Sequence, residues 1–103
     1  MDPIAERLVG KELRQIYHKA KYDAVLVFED GAITAWTEVK VNVSLGNNPL
    51  IVQEVKRSEE WYTIVFTQGD IRISRVAVWP SVECFTYGAA NDRILTIIDR
   101  GEE

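Results

Sequence analysis

The stretch Val25-Leu26-Val27-Phe28-Glu29-Asp30-Gly31-Ala32-Ile33 recurs 38 positions later as Thr63-Ile64-Val65-Phe66-Thr67-Gln68-Gly69-Asp70-Ile71. Phe28 matches Phe66, Gly31 matches Gly69 and Ile33 matches Ile71. Each copy reads as an apolar strand, a glycine turn and a second strand. Asp30-Gly31 is a favoured two-residue hairpin turn, in which both residues take positive φ. The repeat predicts two β-hairpins that form the halves of one sheet.

Outward from the first copy, Ala24 to Phe28 is a continuous apolar run, as in a strand covered on both faces. Beyond the turn, Ile33, Ala35, Thr37, Val39, Val41 and Val43 share one face, while Thr34, Trp36, Glu38, Lys40, Asn42 and Ser44 share the other. A strand of about 12 residues exceeds the usual length and must bend or serve two sheets. Gly46-Asn47-Asn48-Pro49 breaks it. Upstream, Leu13, Ile16, Tyr17 and Ala20 have helical spacing. Leu13, however, precedes Phe28 by the same 15 positions by which Ile51 precedes Phe66. That analogy predicts a strand over 12–18, with Leu13 matched to Ile51. Asp2-Pro3 starts a helix, Ile4, Ala5, Leu8 and Val9 form its apolar face, and Gly10 stops it, giving a helix over 3–9.

The second copy repeats the plan: a strand over 50–57, a charged turn over 57–60, a strand over 61–67, and a strand from 71. Ile71 and Ile73 lie opposite in phase to Val76 and Val78, so a bulge is expected near Ser74-Arg75, and Pro80 ends the strand. Residues 82–87 read as a strand or an irregular turn, 88–92 as a loop, 93–99 as a closing strand, and 100–103 as a loose tail. The expected fold is mainly β, or α+β by virtue of the short N-terminal helix. It is an antiparallel meander of seven or eight strands forming a small barrel or sandwich. Residues 12–44 and 50–79 are its pseudo-duplicated three-stranded units, within a single domain spanning 1–103.

The totals narrow the function more than they identify it. The chain has 103 residues, 47% of them hydrophobic, enough for one core without metal or disulfide support. Its net charge of −4 repels phosphate backbones, so general nucleic-acid binding is not expected. The single cysteine, Cys84, excludes an intrachain disulfide and fits a reducing compartment. Met1-Asp2-Pro3 leads to Glu6 and Arg7 without an apolar leader, and no apolar run reaches the roughly 18 residues of a membrane span. A cytoplasmic protein with no membrane association is the expectation.

Catalytic patterns are sparse. His18 and Cys84 are the only His and Cys, so no zinc-ligand spacing exists. Asp23, Glu29 and Asp30 lack the spacing of a calcium loop, and no glycine-rich phosphate loop occurs. The adjacent carboxylate pairs Glu29-Asp30, Glu59-Glu60 and Glu102-Glu103 do not converge, because neighbours on a strand point apart. A thiol enzyme using Cys84 with His18 is permitted, but Cys84 between Val82 and Phe85 reads as a small buried hydrophobe. No cofactor is expected.

The aromatic residues lean toward binding. Trp36 lies on the polar face of the long strand between Thr34 and Glu38, where an exposed Trp would anchor a contact; packing under a second layer is the competing reading. Trp61 and Tyr62 point oppositely, so one of them faces outward. Trp79 beside Pro80 lines a pocket mouth or packs at an edge. The leading expectation is a non-catalytic module that self-associates as a homodimer or higher homo-oligomer, through Trp36, Glu38 and Lys40. The alternative is a β-barrel that binds a polar or cationic small molecule among Trp36, Trp61, Tyr62 and Trp79. A basic cluster of Lys40, Arg57, Arg72 and Arg75 beside Trp36 could take single-stranded nucleic acid, against the acidic total.

Overall fold

The structure is a computed structural model that describes residues 3–44, 46–76, 84–89 and 96–99. Trp79, Pro80 and the start of the expected closing strand lie outside the described residues. Helix α1 spans Pro3–Leu8. Gly10 stops it at φ +85°, a conformation glycine adopts without penalty, and the Lys11 amide donates back to the Leu8 carbonyl at 2.9 Å.

Among the described residues nine strands follow: β1 Glu12–Ala20, β2 Asp23–Phe28, β3 Gly31–Ala35, β4 Val39–Val43, β5 Leu50–Arg57, β6 Trp61–Phe66, β7 Gly69–Ser74, β8 Phe85–Ala89 and β9 Thr96–Asp99. The internal analogy for β1 holds, and the helical spacing of 11–20 does not decide its structure. All strand pairs among the described residues are antiparallel, in the order β4-β7-β6-β5-β1-β2-β3-β8-β9. The mainly β class with a short N-terminal helix is therefore as expected. The strand count rises to nine because the long alternating stretch is cut at Trp36-Thr37-Glu38.

That cut closes the fold. β3 is seventh in the order and β4 is first. In a flat sheet six strand spacings would separate them by about 29 Å. Four Cα steps from Ala35 to Val39 span at most about 14 Å. The sheet must therefore curl until its two halves face each other, and its extents of 39 × 28 × 25 Å agree. The crossing is stitched on both sides. The Trp36 amide donates to the Cys84 carbonyl and the Ser74 amide donates to the Glu38 carbonyl, each at 2.9 Å. The buried Thr37 hydroxyl donates to the Ser74 carbonyl at 2.6 Å. One continuous alternating segment thus serves two sheets.

The repeat is carried through residue by residue. Leu26 pairs with Ile33 as Ile64 pairs with Ile71, and Phe28 pairs with Gly31 as Phe66 pairs with Gly69. The first strands need a correction. Leu13 faces Phe28, and Val52, not Ile51, faces Phe66. Each of these strands bulges once at matching places, near Arg14 and near Gln53, and β1 carries a second irregularity near Lys19 that takes up one extra residue. The fourth strands are exchanged: β4 follows the first hairpin but pairs with β7, and β8 follows the second hairpin but pairs with β3. The repeated unit therefore has four strands, not three, and each half of the sheet is completed by a strand from the other copy.

The turns also differ from expectation. Among the described residues no non-glycine residue has positive φ, and Gly31 does not either. Glu29 and Asp30 make the first turn, and Gly31 begins β3 opposite Phe28. Glu12 at the start of β1 and Lys11 just before it hold this turn in place of intrinsic turn geometry. The Glu29 amide donates to the Glu12 carbonyl, the Glu12 amide donates to the Glu29 carboxylate, and Lys11 Nζ meets Asp30 at 2.6 Å. Asp30 in turn raises the pKa of Lys11 above its ordinary value. Gly31 is needed for close approach instead, because a methyl there would meet the Gly88 carbonyl oxygen at 2.5 Å. Gly69 is its counterpart at φ +142°, pressed against the Asn42 carbonyl. The expected bulge near Ser74 is the end of β7, where Arg75 turns inward and donates to the Ser58 carbonyl at 2.6 Å.

The core is shared between the halves. Leu26, Phe28, Ile33 and Ala35 match Ile64, Phe66, Ile71 and Ile73, and all eight are buried. α1 adds Ile4 and Leu8. Each large apolar side chain in this set contributes about 1.5–3 kcal/mol on burial.

Candidate functional site

Tyr62, Phe85 and Tyr87 fill the interior and are fully buried, with the Tyr62 and Phe85 rings 4.9 Å apart at their centroids. Tyr62 is thus a core residue. Trp61, one position earlier, lies on the outer surface of β6 with Lys40 Nζ 5.0 Å from its ring centroid. The two residues expected to share a cavity point to opposite sides of one strand. Trp36 and Glu38 are half-buried at the crossing between β3 and β4, and Lys40 is exposed on β4. Trp36, Glu38 and Lys40 therefore follow one another along the segment that joins the halves, while Lys40 is engaged with Trp61.

The basic cluster dissolves. Lys40 and Arg72 are cross-strand neighbours, but Arg75 is buried. Arg57 pairs with Tyr62, on the core-facing side of β5. The thiol pair is also separated in character: Cys84 is fully buried, whereas His18 is exposed on the outer part of β1. Among the described residues no group of three or more His, Cys, Asp or Glu gathers as metal ligands.

A sharper feature comes from comparing the outer faces of the two halves. Registers give two cross-strand rows in each. In the second half the rows are Lys56, Thr63, Arg72, Lys40 and Glu54, Val65, Asp70, Asn42. Five of these eight are charged, and Arg72 and Asp70 approach to 3.8 Å. In the first half the matching rows are Tyr17, Val25, Thr34, Thr86 and Gln15, Val27, Ala32, Gly88. None is charged. Strand alternation continues that face at its margin to Trp36 just past β3 and to the half-buried Asp23 on β2. Val25, Val27, Ala32 and Thr34 are half-buried, and Tyr17 is 48% exposed, its hydroxyl donating to the Gln15 side chain at 2.6 Å. Broad uncharged β faces of this kind fit a contact with another surface. Only Trp36 was singled out from sequence. Tyr17 and Gln15 were hidden because the bulge near Arg14 shifts the alternation of β1, so no simple period assigns their face.

Beside this face runs an open edge. β1 pairs with β5 only at Glu12 and Leu13, opposite Ile51 and Leu50. From Arg14 to Ala20, no strand lies along its outer side among the described residues. Where β1 and β5 splay, a cleft of about 230 Å³ is lined by Leu13, Arg14, Gln15, Ile16 and Leu50. A wider groove of about 500 Å³ adjoins it, between Glu12-Leu13 and the segment Gly46 to Leu50. No helix among the described residues is long and apolar enough to cross a membrane. No family model, curated protein or solved structure matches this chain.

Proposed function

We propose that this protein is a non-catalytic, self-associating interaction module, and that copies meet through the uncharged outer face of the first half. The contrast between the two outer faces carries this reading. In its two matching cross-strand rows the same four-strand scaffold bears three cations and two carboxylates in one half and no charge in the other. Burying the charged rows would cost desolvation that burying Tyr17, Val25, Val27 and Thr34 does not. Trp36 at the margin supplies an amphipathic anchor of the type enriched in contacts. A stable pair needs about 800 Å² from each copy, within reach of a four-stranded face.

Light scattering coupled to size exclusion tests this at high protein concentration. The expected species is a dimer or higher oligomer. Val25→Lys combined with Thr34→Lys should return it to a monomer with unchanged circular dichroism. A strict monomer for the unaltered chain overturns the proposal. A small-molecule barrel is less favoured, because Trp36, Trp61 and Tyr62 do not line one space.

A further inference from the structure

We infer that the outer edge of β1, from Arg14 to Ala20, takes an extended acidic peptide segment as an added strand, with one bulky apolar side chain of that segment seated in the cleft between Leu13, Ile16 and Leu50. This edge adjoins the uncharged face and shares Gln15 and Tyr17 with it, but the inference rests on backbone pairing and the cleft and does not depend on self-association.

Three observations converge. The first is the backbone. An unpaired strand edge offers alternating N–H and C=O groups to any extended chain, and such addition is a common mode of peptide recognition. Among the described residues no strand pairs with this edge, and Arg14, Gln15, Tyr17, His18, Lys19, Ala20, Lys21 and Tyr22 are all exposed.

The second is charge. Lys19 and Lys21, with His18 beside them, stand against the single acid Asp23 over 18–23, although the whole chain carries −4; Arg14, at the start of the edge, lies 3.6 Å from the Glu12 carboxylate. Lysines on an edge ordinarily guard it against pairing with a copy of itself. They do so here, because pairing this edge with the same edge of a second copy would gather four lysines, Lys19 and Lys21 of each copy, along one two-stranded ribbon. The same residues attract an acidic strand, since opposite charges facing each other across a strand pair are favourable. The guard against self thus selects for acidic partners.

The third is the cleft. Added strands gain specificity from pockets that receive their side chains. The space of about 230 Å³ at the base of the open edge is sized for one large side chain and is walled by Leu13, Ile16 and Leu50. Its symmetry counterpart shows how the fold treats such a place. At the matching edge of β5, the Gly10 amide donates to the Val52 carbonyl and the Val52 amide donates to the Lys11 carbonyl, each at 2.9 Å, and α1 packs against the strand. In the second copy the residues before the strand are Asn47-Asn48-Pro49, where the first has Leu8-Val9-Gly10. With no helix ahead of β5, the cleft beside β1 stays open.

An acetylated peptide of alternating glutamate and valine with one phenylalanine near an end is the probe, titrated into the full chain at low salt with amide NMR as the readout. Binding should shift β1 resonances and slow exchange of alternate β1 amides, which a diffuse ionic attraction would not do. Lys19→Glu with Lys21→Glu should weaken binding about tenfold, as should replacing the peptide phenylalanine with alanine. The Val25→Lys, Thr34→Lys variant should still bind the peptide with the same pattern of β1 amide protection, which separates this site from self-association. Absence of binding at millimolar peptide overturns the inference. So does binding without β1 amide protection, equal binding of the lysine version of the peptide, or equal binding of a single-stranded oligonucleotide.

Discussion

The two halves of the sheet have the same backbone and different surfaces. Inside, Leu26 and Ile64, Phe28 and Phe66, and Ile33 and Ile71 occupy matching buried positions. Outside, the row Tyr17, Val25, Thr34, Thr86 faces the row Lys56, Thr63, Arg72, Lys40 only by analogy, since one is neutral and the other carries three cations. Core packing constrains what a repeated hairpin must keep, because a vacated methyl group costs stability in either copy. The outer face is free to diverge, and there the halves part.

The interior equivalence is the easiest to break. Leu26→Ala and Ile64→Ala should each cost roughly 2–5 kcal/mol in denaturant unfolding, with similar values. If one were nearly silent, the halves would not share one core. The glycines sharpen the comparison. Gly69→Ala should cost about 3 kcal/mol, because it adds strain at φ +142° to a collision with the Asn42 carbonyl. Gly31→Ala should cost about 2 kcal/mol, since only the contacts with Gly88 and Tyr87 must give. Equal losses would mean that the left-handed backbone at Gly69 contributes nothing.

Tyr87 marks a second difference, because its counterpart Val41 is 41% exposed while Tyr87 is fully buried. The Tyr87 hydroxyl has no hydrogen-bond partner among the described residues. Burial pushes its pKa up; Arg7 and Lys11 oppose this and Asp30 adds to it. The folded state therefore holds the phenolic proton more tightly than the unfolded chain does. The resulting stability is present below the ordinary tyrosine value of about 10 and is lost as pH rises through the folded value. Tyr87→Phe should flatten that alkaline loss and raise stability at neutral pH by about 1 kcal/mol, read from denaturation at pH 7 and above pH 10. The smallest effect is expected at Lys40→Ala, about 0.5 kcal/mol from the exposed cation–π contact with Trp61, visible as a change in Trp fluorescence.

Hairpins were legible because alternation and the Phe-x-x-Gly match report which face each residue takes. Alternation is silent about which strand lies next door. The exchange of β4 and β8 between halves therefore could not be read, although the length of the Ile33–Ser44 alternation already required a strand that bends or serves two sheets. Turn geometry misled at Asp30-Gly31, because tertiary bonds from Glu12 and Lys11 overrode a local preference. Among the expected site residues, Trp36 was placed on the right face by its period. Tyr62 and Trp61 were known to point apart, but nothing local could say that the Phe85 ring would cover the first and the Lys40 ammonium the second.

The exchange of fourth strands has a consequence for ancestry. A chain of half this length, near the roughly 40 residues below which domains seldom fold alone, would end in a strand with nothing of its own to pair with. Two such chains, each lending that strand to the other, would rebuild eight of the nine strands about a twofold axis, with β9 the addition. Trp36-Thr37-Glu38 would then be the arm each gave its twin, and the segment around Gly46 to Pro49 the later splice that made two subunits into one polypeptide.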